Sequence, residues 1–130
     1  MKDDNFLKEN NARHMWHPMA HPGAMQDHPP RIIAKAEGST ITDKDGNTVV
    51  DGVGGLWCVN VGYSCEPIKK AIAEQVQVLP YYSAFGGTTN ECAIELSYEL
   101  REMFAPDGMA RAFFTSGGSD AVDTALRLAR

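Results

Sequence analysis

The residues most able to do chemistry lie in one turn near the end of the sequence, Ser116-Gly117-Gly118-Ser119. The preceding segment, Arg111–Thr115, is predicted to be a short buried strand, and a helix is predicted from Asp120 onward. The first N–H groups of a helix have no intrahelical acceptor, and the helix dipole favours negative charge there. Glycines let a ligand approach the backbone, and Ser119 is expected to cap the helix or to donate to a phosphate oxygen. The pattern predicts a phosphate site, with an ordinary capped turn as the alternative.

The first part of the sequence predicts an N-terminal arm and a small antiparallel meander. A short helix over Asp4–Met15 precedes a stretch rich in Pro, His and Gly, residues 17–30, which is expected to be irregular. An Asp-Gly pair within Asp43–Gly46 predicts a hairpin turn, because it supplies the positive φ that such turns need. The predicted strands are Arg31–Ala36, Thr40–Thr42 and Asn47–Asp51.

Two amphipathic helices and a glycine-rich segment are predicted further along. Gly52–Tyr63 is expected to be buried and irregular, because it is too glycine-rich for a regular helix and too apolar for a free linker. A helix over Glu66–Leu79, capped by Ser64 or Cys65, is expected to bury a stripe at helical spacing. A second helix over Glu91–Phe104 is expected to start at the cap residue Asn90. The stripe of the first helix consists of Ile68, Ile72, Val76 and Leu79.

Composition argues against several classes of function. Seventeen acidic residues against twelve basic ones do not provide the basic patch of a nucleic-acid surface. No apolar run reaches membrane-spanning length and no signal peptide is seen, so a cytoplasmic protein is expected. Three cysteines without metal-like pairing favour reduced thiols. Four histidines lie in or beside a Pro-rich segment: His14, His17, His21 and His28. Their irregular spacing favours an extended arm over a zinc site, so no metal is predicted.

Three segments, in this order and spacing, resemble the class III aminotransferases, pyridoxal 5'-phosphate (PLP) enzymes that include the ω-amino acid:pyruvate transaminases. Arg31–Ser39 with Thr42–Gly46 resembles the opening meander of the family, Asp51–Tyr63 its glycine-rich active-site segment, and Phe113–Arg130 its phosphate cup. The resemblance implies part of an α/β, fold-type-I PLP-dependent transferase. Residues 1–60 would be the arm and small-domain meander, and 61–130 the start of the large PLP-binding domain.

The resemblance also assigns roles to individual residues. It implies that Gly118 and Ser119, with Gly117 in the same turn, bind the cofactor phosphate. It places Trp57 and Phe85 in the substrate pocket, and it implies a homodimer, because sites in this family are shared between subunits. The catalytic lysine, which binds the cofactor as a Schiff base, and the carboxylate at the pyridine nitrogen are expected beyond Arg130.

Two departures from the family pattern concern the cup, where Ser-Gly-Ser-Glu is common and this chain has Gly117-Gly118-Ser119-Asp120. Gly117 lacks a hydroxyl and Asp120 is one methylene shorter than Glu. Phosphate binding is expected to survive, because backbone N–H groups and Ser119 supply most of it. Four lysines of this chain do not match the motif of the catalytic lysine and are expected at the surface: Lys35, Lys44, Lys69 and Lys70. The chain alone is therefore expected to be inactive.

The resulting hypothesis is part of an aminotransferase that moves an amino group from an ω-amino acid or amine to pyruvate or another keto acid. One alternative is aminomutase or decarboxylase chemistry within the same family. The other is a non-catalytic phosphate-binding α/β module. That module would have to fold alone, whereas strands without most of their sheet partners predict that the isolated chain does not.

Overall fold

The computed structural model describes residues 3–130, which divide between Glu74 and Gln75 into two compact units. The division into 1–60 and 61–130 that the resemblance implies stays a prediction. Within the described residues, Met25 is the only buried hydrophobic residue, and no side chain is fully buried. Most of the apolar surface of this chain is therefore exposed.

The first unit begins with the helices α1, Asp4–His14, and α2, Pro22–Asp27. The predicted first helix is confirmed, and the Asp3 carboxylate caps it by accepting from the Phe6 N–H at 2.8 Å. The expectation that residues 17–30 are irregular is wrong for α2. His21 caps that helix by accepting from the Gly23 N–H at 3.2 Å, and Pro22 occupies the first turn, where its missing N–H costs nothing.

The predicted meander is confirmed, with strand order β1-β2-β3 and antiparallel pairing throughout. The Asp43 carboxylate organises the second turn, because it accepts from the backbone N–H groups of Asp45 at 3.0 Å and Asn47 at 2.8 Å. Hydrogen bonds from the Asn47 side chain, and then from its backbone, lower the pKa of Asp43. Gly46 provides the predicted positive φ, 88°. The strands are β1, Ile33–Glu37; β2, Thr40–Asp43; and β3, Thr48–Val50.

Polar contacts hold the arm against this turn. Lys44 pairs with Asp4 at 2.8 Å, and Lys8 pairs with Asp45. The Asn11 side-chain amide donates to the Pro30 carbonyl at 2.7 Å. Helix α1 is thus fixed to the meander by charge and hydrogen bonding.

Helices dominate the rest of the chain: the single turn α3, Gly54–Trp57; α4, Glu66–Val78; α5, Glu91–Met103; and α6, Gly118–Leu128. Asn90 caps α5 as predicted, accepting from the Ala93 N–H at 3.0 Å. A 3-10 turn, Ala105–Asp107, ends it, followed by Gly108 at a φ of 73°. Among the described helices, none is long and apolar enough to cross a membrane.

Two predictions of burial are wrong in this chain. The stripe on α4 is exposed, from 37% at Leu79, just past the helix, to 59% at Ile72. Arg111–Thr115 is not a strand: no partner for it exists within residues 3–130, and Phe113 is 73% exposed. A strand is defined by pairing, so an apolar sequence without a neighbour remains an extended segment.

Candidate functional site

The residues of the predicted anion site lie at the N-terminus of α6. Gly117 is the N-cap residue, in extended conformation, with a φ of −176°. The first helical hydrogen bond runs from the Ala121 N–H to the Gly117 carbonyl at 3.0 Å. The N–H groups of Gly118, Ser119 and Asp120 therefore precede that bond and have no acceptor within the helix.

Ser119 is not the N-cap, contrary to one of the two roles predicted for it. The helix begins at Gly118, two residues earlier than predicted, which places Ser119 inside the first turn. Within the part of the chain that the structure describes, no side chain caps this helix and the Ser119 hydroxyl has no hydrogen-bond partner. The alternative of a turn capped by Ser119 is therefore wrong.

Neither the backbone angles nor the neighbouring protein atoms require a glycine at position 117 or 118. The φ of both lies outside the left-handed region. A Cβ at Gly117 or Gly118 would meet no atom of the described residues within 4 Å. At Gly62, by contrast, φ is 76° and a Cβ would lie 2.8 Å from the Gly38 carbonyl oxygen. The open space at Gly117 and Gly118 lies beside the free N–H groups.

Short polar contacts fix the approach to the helix. The Thr115 hydroxyl donates to the Gly117 carbonyl at 3.1 Å, and the Ser116 hydroxyl donates to the Asp120 carboxylate. Asp120 lies in the first turn, where a negative charge stabilises the helix. One methylene shorter than Glu, this carboxylate still reaches back to the residue before the two glycines.

A second candidate region is the glycine-rich segment after β3, which Asp51 organises. The Asp51 carboxylate accepts from the backbone N–H groups of Val53 at 3.2 Å, Gly54 at 3.1 Å and Gly55 at 2.7 Å. It also accepts from the half-buried Tyr63 hydroxyl. The bond from Tyr63, followed by the one from Gly55, lowers the pKa of Asp51, and the same bond raises the pKa of Tyr63.

Trp57 ends a left-handed turn of this segment. The φ angles of Gly54, Gly55, Leu56 and Trp57 are 57°, 59°, 60° and 66°. Left-handed backbone costs residues with a Cβ about 1–2 kcal/mol each, so Leu56 and Trp57 are held in strained positions. Trp57 is 78% exposed, so the expectation that residues 52–63 are buried is wrong for this side chain.

Phe85 lies at the tip of the loop between α4 and α5. The Phe85 N–H donates to the Ser83 hydroxyl at 3.0 Å, and the Thr88 hydroxyl donates to the Ser83 carbonyl at 2.8 Å. Gly86 and Gly87 follow with positive φ. Phe85 is 91% exposed, so the loop presents it away from the body of its unit.

The structure brings Gly117, Gly118 and Ser119 together in one turn. It places Trp57 in the first unit and Phe85 in a separate loop of the second. Sequence reasoning missed Asp51 and Tyr63, although an Asp two to four residues before a Gly-Gly pair is a signal for a carboxylate that binds loop N–H groups. Across residues 3–130, no group of three or more His, Cys, Asp or Glu is arranged to hold a metal ion.

Comparisons with known proteins identify the family and the fold to which this chain is similar. The family model described as Aminotransferase class-III matches residues 23–130. A putrescine–pyruvate aminotransferase from Pseudomonas aeruginosa is 46% identical over 100 residues, which are 77% of this chain and 22% of that protein. The solved structure of an amine transaminase from an uncultivated Pseudomonas species, in its PLP-bound form, superposes with a TM-score of 0.85 at 46% identity, covering 91% of this chain and 27% of that one. An ω-transaminase from Pseudomonas jessenii in complex with PMP superposes with a TM-score of 0.88 at 34% identity, covering 93% and 26%.

These neighbours confirm the predicted fold class, part of an α/β PLP-dependent transferase. The chain belongs to the class III aminotransferase family. It spans about a quarter of the length of the relatives it matches.

Proposed function

We propose that this chain is part of a PLP-dependent aminotransferase that moves an amino group from an ω-amino acid or amine to pyruvate or another keto acid. Family membership supports the reaction class. The names of the relatives support the substrate classes, since one acts on putrescine and pyruvate and another is an amine transaminase. A homodimer and a cytoplasmic location belong to the same proposal and have the resemblance as their support.

The turn at Gly117–Ser119 carries the proposal, because its groups fit the phosphate of PLP. A phosphate has several acceptor oxygens and a strong negative charge, and the turn offers three N–H groups and one free hydroxyl at the positive end of a helix. The open space beside the two glycines leaves room for the phosphate to approach. When bound, PLP supplies the electron sink of the reaction, and the role of these residues is to hold and orient it.

Trp57 and Phe85 are proposed as walls of the substrate pocket. Both are large, exposed aromatic side chains on glycine-rich segments, so contact with substrate would give them the apolar surroundings that they lack here. The catalytic lysine is proposed to lie outside residues 1–130. The chain would thus supply phosphate binding and pocket shape, and the covalent chemistry would come from elsewhere in the enzyme.

The test uses the full-length enzyme that contains this chain. Ser119→Ala is expected to weaken PLP binding about tenfold, the loss typical of a hydrogen bond to a charged group. Ser97→Ala is the matched control, because the Ser97 hydroxyl only donates to the Ile94 carbonyl of its own helix. Equal PLP affinity in wild type and Ser119→Ala would contradict the assignment of the cup.

The reaction is tested separately with a panel of amines and pyruvate. Alanine formed in amounts equal to the amine consumed supports aminotransfer. Loss of CO₂ or an isomerised amine without alanine would instead identify decarboxylase or aminomutase chemistry.

A further inference from the structure

We propose that Asp51 is a positioning residue that fixes the left-handed turn before Trp57 and so sets the size of amino donor that the enzyme accepts. The inference rests on the proposed function, in which Trp57 forms a wall of the pocket. The Asp51 carboxylate would act through the backbone and would not touch the substrate.

The backbone of the turn does not stabilise its left-handed conformation alone. Left-handed backbone is disfavoured by residues with a Cβ, and both Leu56 and Trp57 adopt it. The backbone bonds around Trp57 run from the Trp57 N–H to the Val53 carbonyl at 2.9 Å and from the Cys58 and Val59 N–H groups to the Gly54 carbonyl, both at 3.0 Å. These bonds leave the N–H groups of Val53 and Gly55 without a backbone acceptor, so a side-chain acceptor for them would stabilise this conformation.

Asp51 is that acceptor. Three consecutive N–H groups, those of Val53, Gly54 and Gly55, converge on its two oxygens, an arrangement in which backbone amides enclose an anion. Tyr63 donates to the same carboxylate from the far end of the segment. The carboxylate thus connects the start of the turn to the last residue of the segment.

The meander holds both ends of this arrangement. The Asp51 N–H donates to the Ser39 carbonyl at 2.9 Å, and the Tyr63 N–H donates to the Gly38 carbonyl at 2.8 Å. The Gly38 N–H in turn donates to the Ser64 hydroxyl at 2.8 Å. The turn between β1 and β2 is therefore the fixed base from which Asp51 and Tyr63 position the segment.

Close packing beside Gly55 excludes a larger residue at that position. A Cβ at Gly55 would lie 2.7 Å from Val59 Cγ2 and 3.2 Å from the Tyr63 hydroxyl oxygen. Loss of the carboxylate would release the N–H groups of 53–55 and let Leu56 and Trp57 return to favoured backbone angles. The indole of Trp57 would then change direction while the surrounding elements stay in place.

The test compares variants of the full-length enzyme by the ratio of kcat/KM for a bulky amine, 1-phenylethylamine, to that for a small one, isopropylamine. Asp51→Ala is expected to change this ratio about tenfold, the scale on which an apolar pocket discriminates one methylene. Asp51→Asn keeps one acceptor oxygen and is expected to restore part of the wild-type ratio. Asp27→Ala, which removes an exposed carboxylate from α2, is the control and is expected to leave the ratio unchanged.

A double-variant comparison separates positioning from general damage. In a Trp57→Gly background, adding Asp51→Ala is expected to leave the ratio unchanged, because the side chain that it positions is gone. Equal loss of activity toward both amines in Asp51→Ala, or the same ratio change with and without Trp57, would overturn the proposal. Tyr63→Phe, which removes one of the four bonds to the carboxylate, gives the same test with a smaller effect if Asp51→Ala does not fold.

The ¹⁹F resonance of Trp57 tests the positioning role of Asp51 separately from the proposed function. In enzyme labelled with 5-fluorotryptophan, the ¹⁹F resonance of Trp57 is assigned by its loss in Trp57→Phe. Asp51→Ala is expected to shift that resonance whether or not any amine is turned over. An unchanged resonance would overturn the positioning role, whereas a shifted resonance without aminotransfer would contradict the proposed function alone.

Discussion

Tyr63 donates its hydroxyl hydrogen to the carboxylate of Asp51, twelve residues earlier in the chain. This bond closes the glycine-rich segment that contains Trp57 into a loop, with the Asp51 carboxylate as its main hydrogen-bond acceptor. It also joins two titratable groups whose pKa values move in opposite directions, which makes the loop sensitive to pH at both extremes.

The Asp51–Tyr63 pair is expected to stabilise the enzyme only within a pH window. The pKa of Asp51 is below its ordinary value of 3.8, so its contribution is present above pH 3.8 and is lost as the pH falls through the lowered pKa. The pKa of Tyr63 is above its ordinary value of 10.0, so its contribution is present below pH 10.0 and is lost as the pH rises through the raised pKa. Thermal unfolding across pH should show wild type more stable than Tyr63→Phe near neutrality, with the gap closing at high pH. A constant gap above pH 10.0 would contradict the hydrogen bond.

Gly118→Ala is expected to separate stability from cofactor binding. Alanine is favoured over glycine in helices by up to about 1 kcal/mol, and a Cβ here meets no described atom, so the free energy of unfolding of the apoenzyme should be unchanged or higher. PLP affinity should fall, because the added methyl group occupies the approach to the N–H groups. Denaturant unfolding and PLP titration measure the two effects. If Gly118→Ala lowers the free energy of unfolding and keeps its PLP affinity, the glycine is required for packing and not for PLP binding.

Gly62→Ala is expected to destabilise the meander. Its φ is 76°, and the new Cβ would lie 2.8 Å from the Gly38 carbonyl oxygen, which is backbone and cannot move aside alone. The expected loss in free energy of unfolding is about 2 kcal/mol or more. Gly46→Ala is the matched control, because its φ is 88° and its Cβ would meet nothing within 4 Å. If the two variants lose equal stability, the close approach to Gly38 contributes nothing.

Asn90→Ala is expected to lower the free energy of unfolding by about 1 kcal/mol through loss of the cap on α5. The Asn90 side chain accepts from the Ala93 N–H at 3.0 Å, and Asp can make the same bond. Asn90→Asp should therefore retain the wild-type stability in urea denaturation. Similar losses in both variants would assign the effect to something other than the cap.

Local signals explain what could be predicted from the sequence. The Asp43–Gly46 turn, the Asn90 cap and the meander strands depend on residues close to one another in the chain, and the structure confirms them. The turn at Ser116–Ser119 is predicted for the same reason, although Ser119 lies two positions beyond the N-cap residue, Gly117. The short helix α2 was missed because His21 is an unusual cap and its Pro-rich surroundings favour irregular structure.

Predictions that depend on partners distant in the sequence are wrong or missing. An amphipathic stripe such as that on α4 states which face is apolar but not whether another element covers it. The same holds for Arg111–Thr115, whose apolar sequence specifies a strand only beside another strand. The role of Tyr63 depends on a contact across twelve residues that no local pattern contains, whereas the bonds from residues 53–55 to Asp51 are local.

The extended segment Arg111–Thr115 has a consequence for handling this chain in isolation. Its backbone amides and carbonyls are available for pairing, and an apolar hollow lined by Leu100, Phe104 and Phe113 lies beside it. Segments of this kind template the addition of a further strand from another molecule. At high concentration, we expect the isolated chain to satisfy these groups with a second copy of itself, so the five residues immediately before the predicted phosphate turn are expected to promote its aggregation.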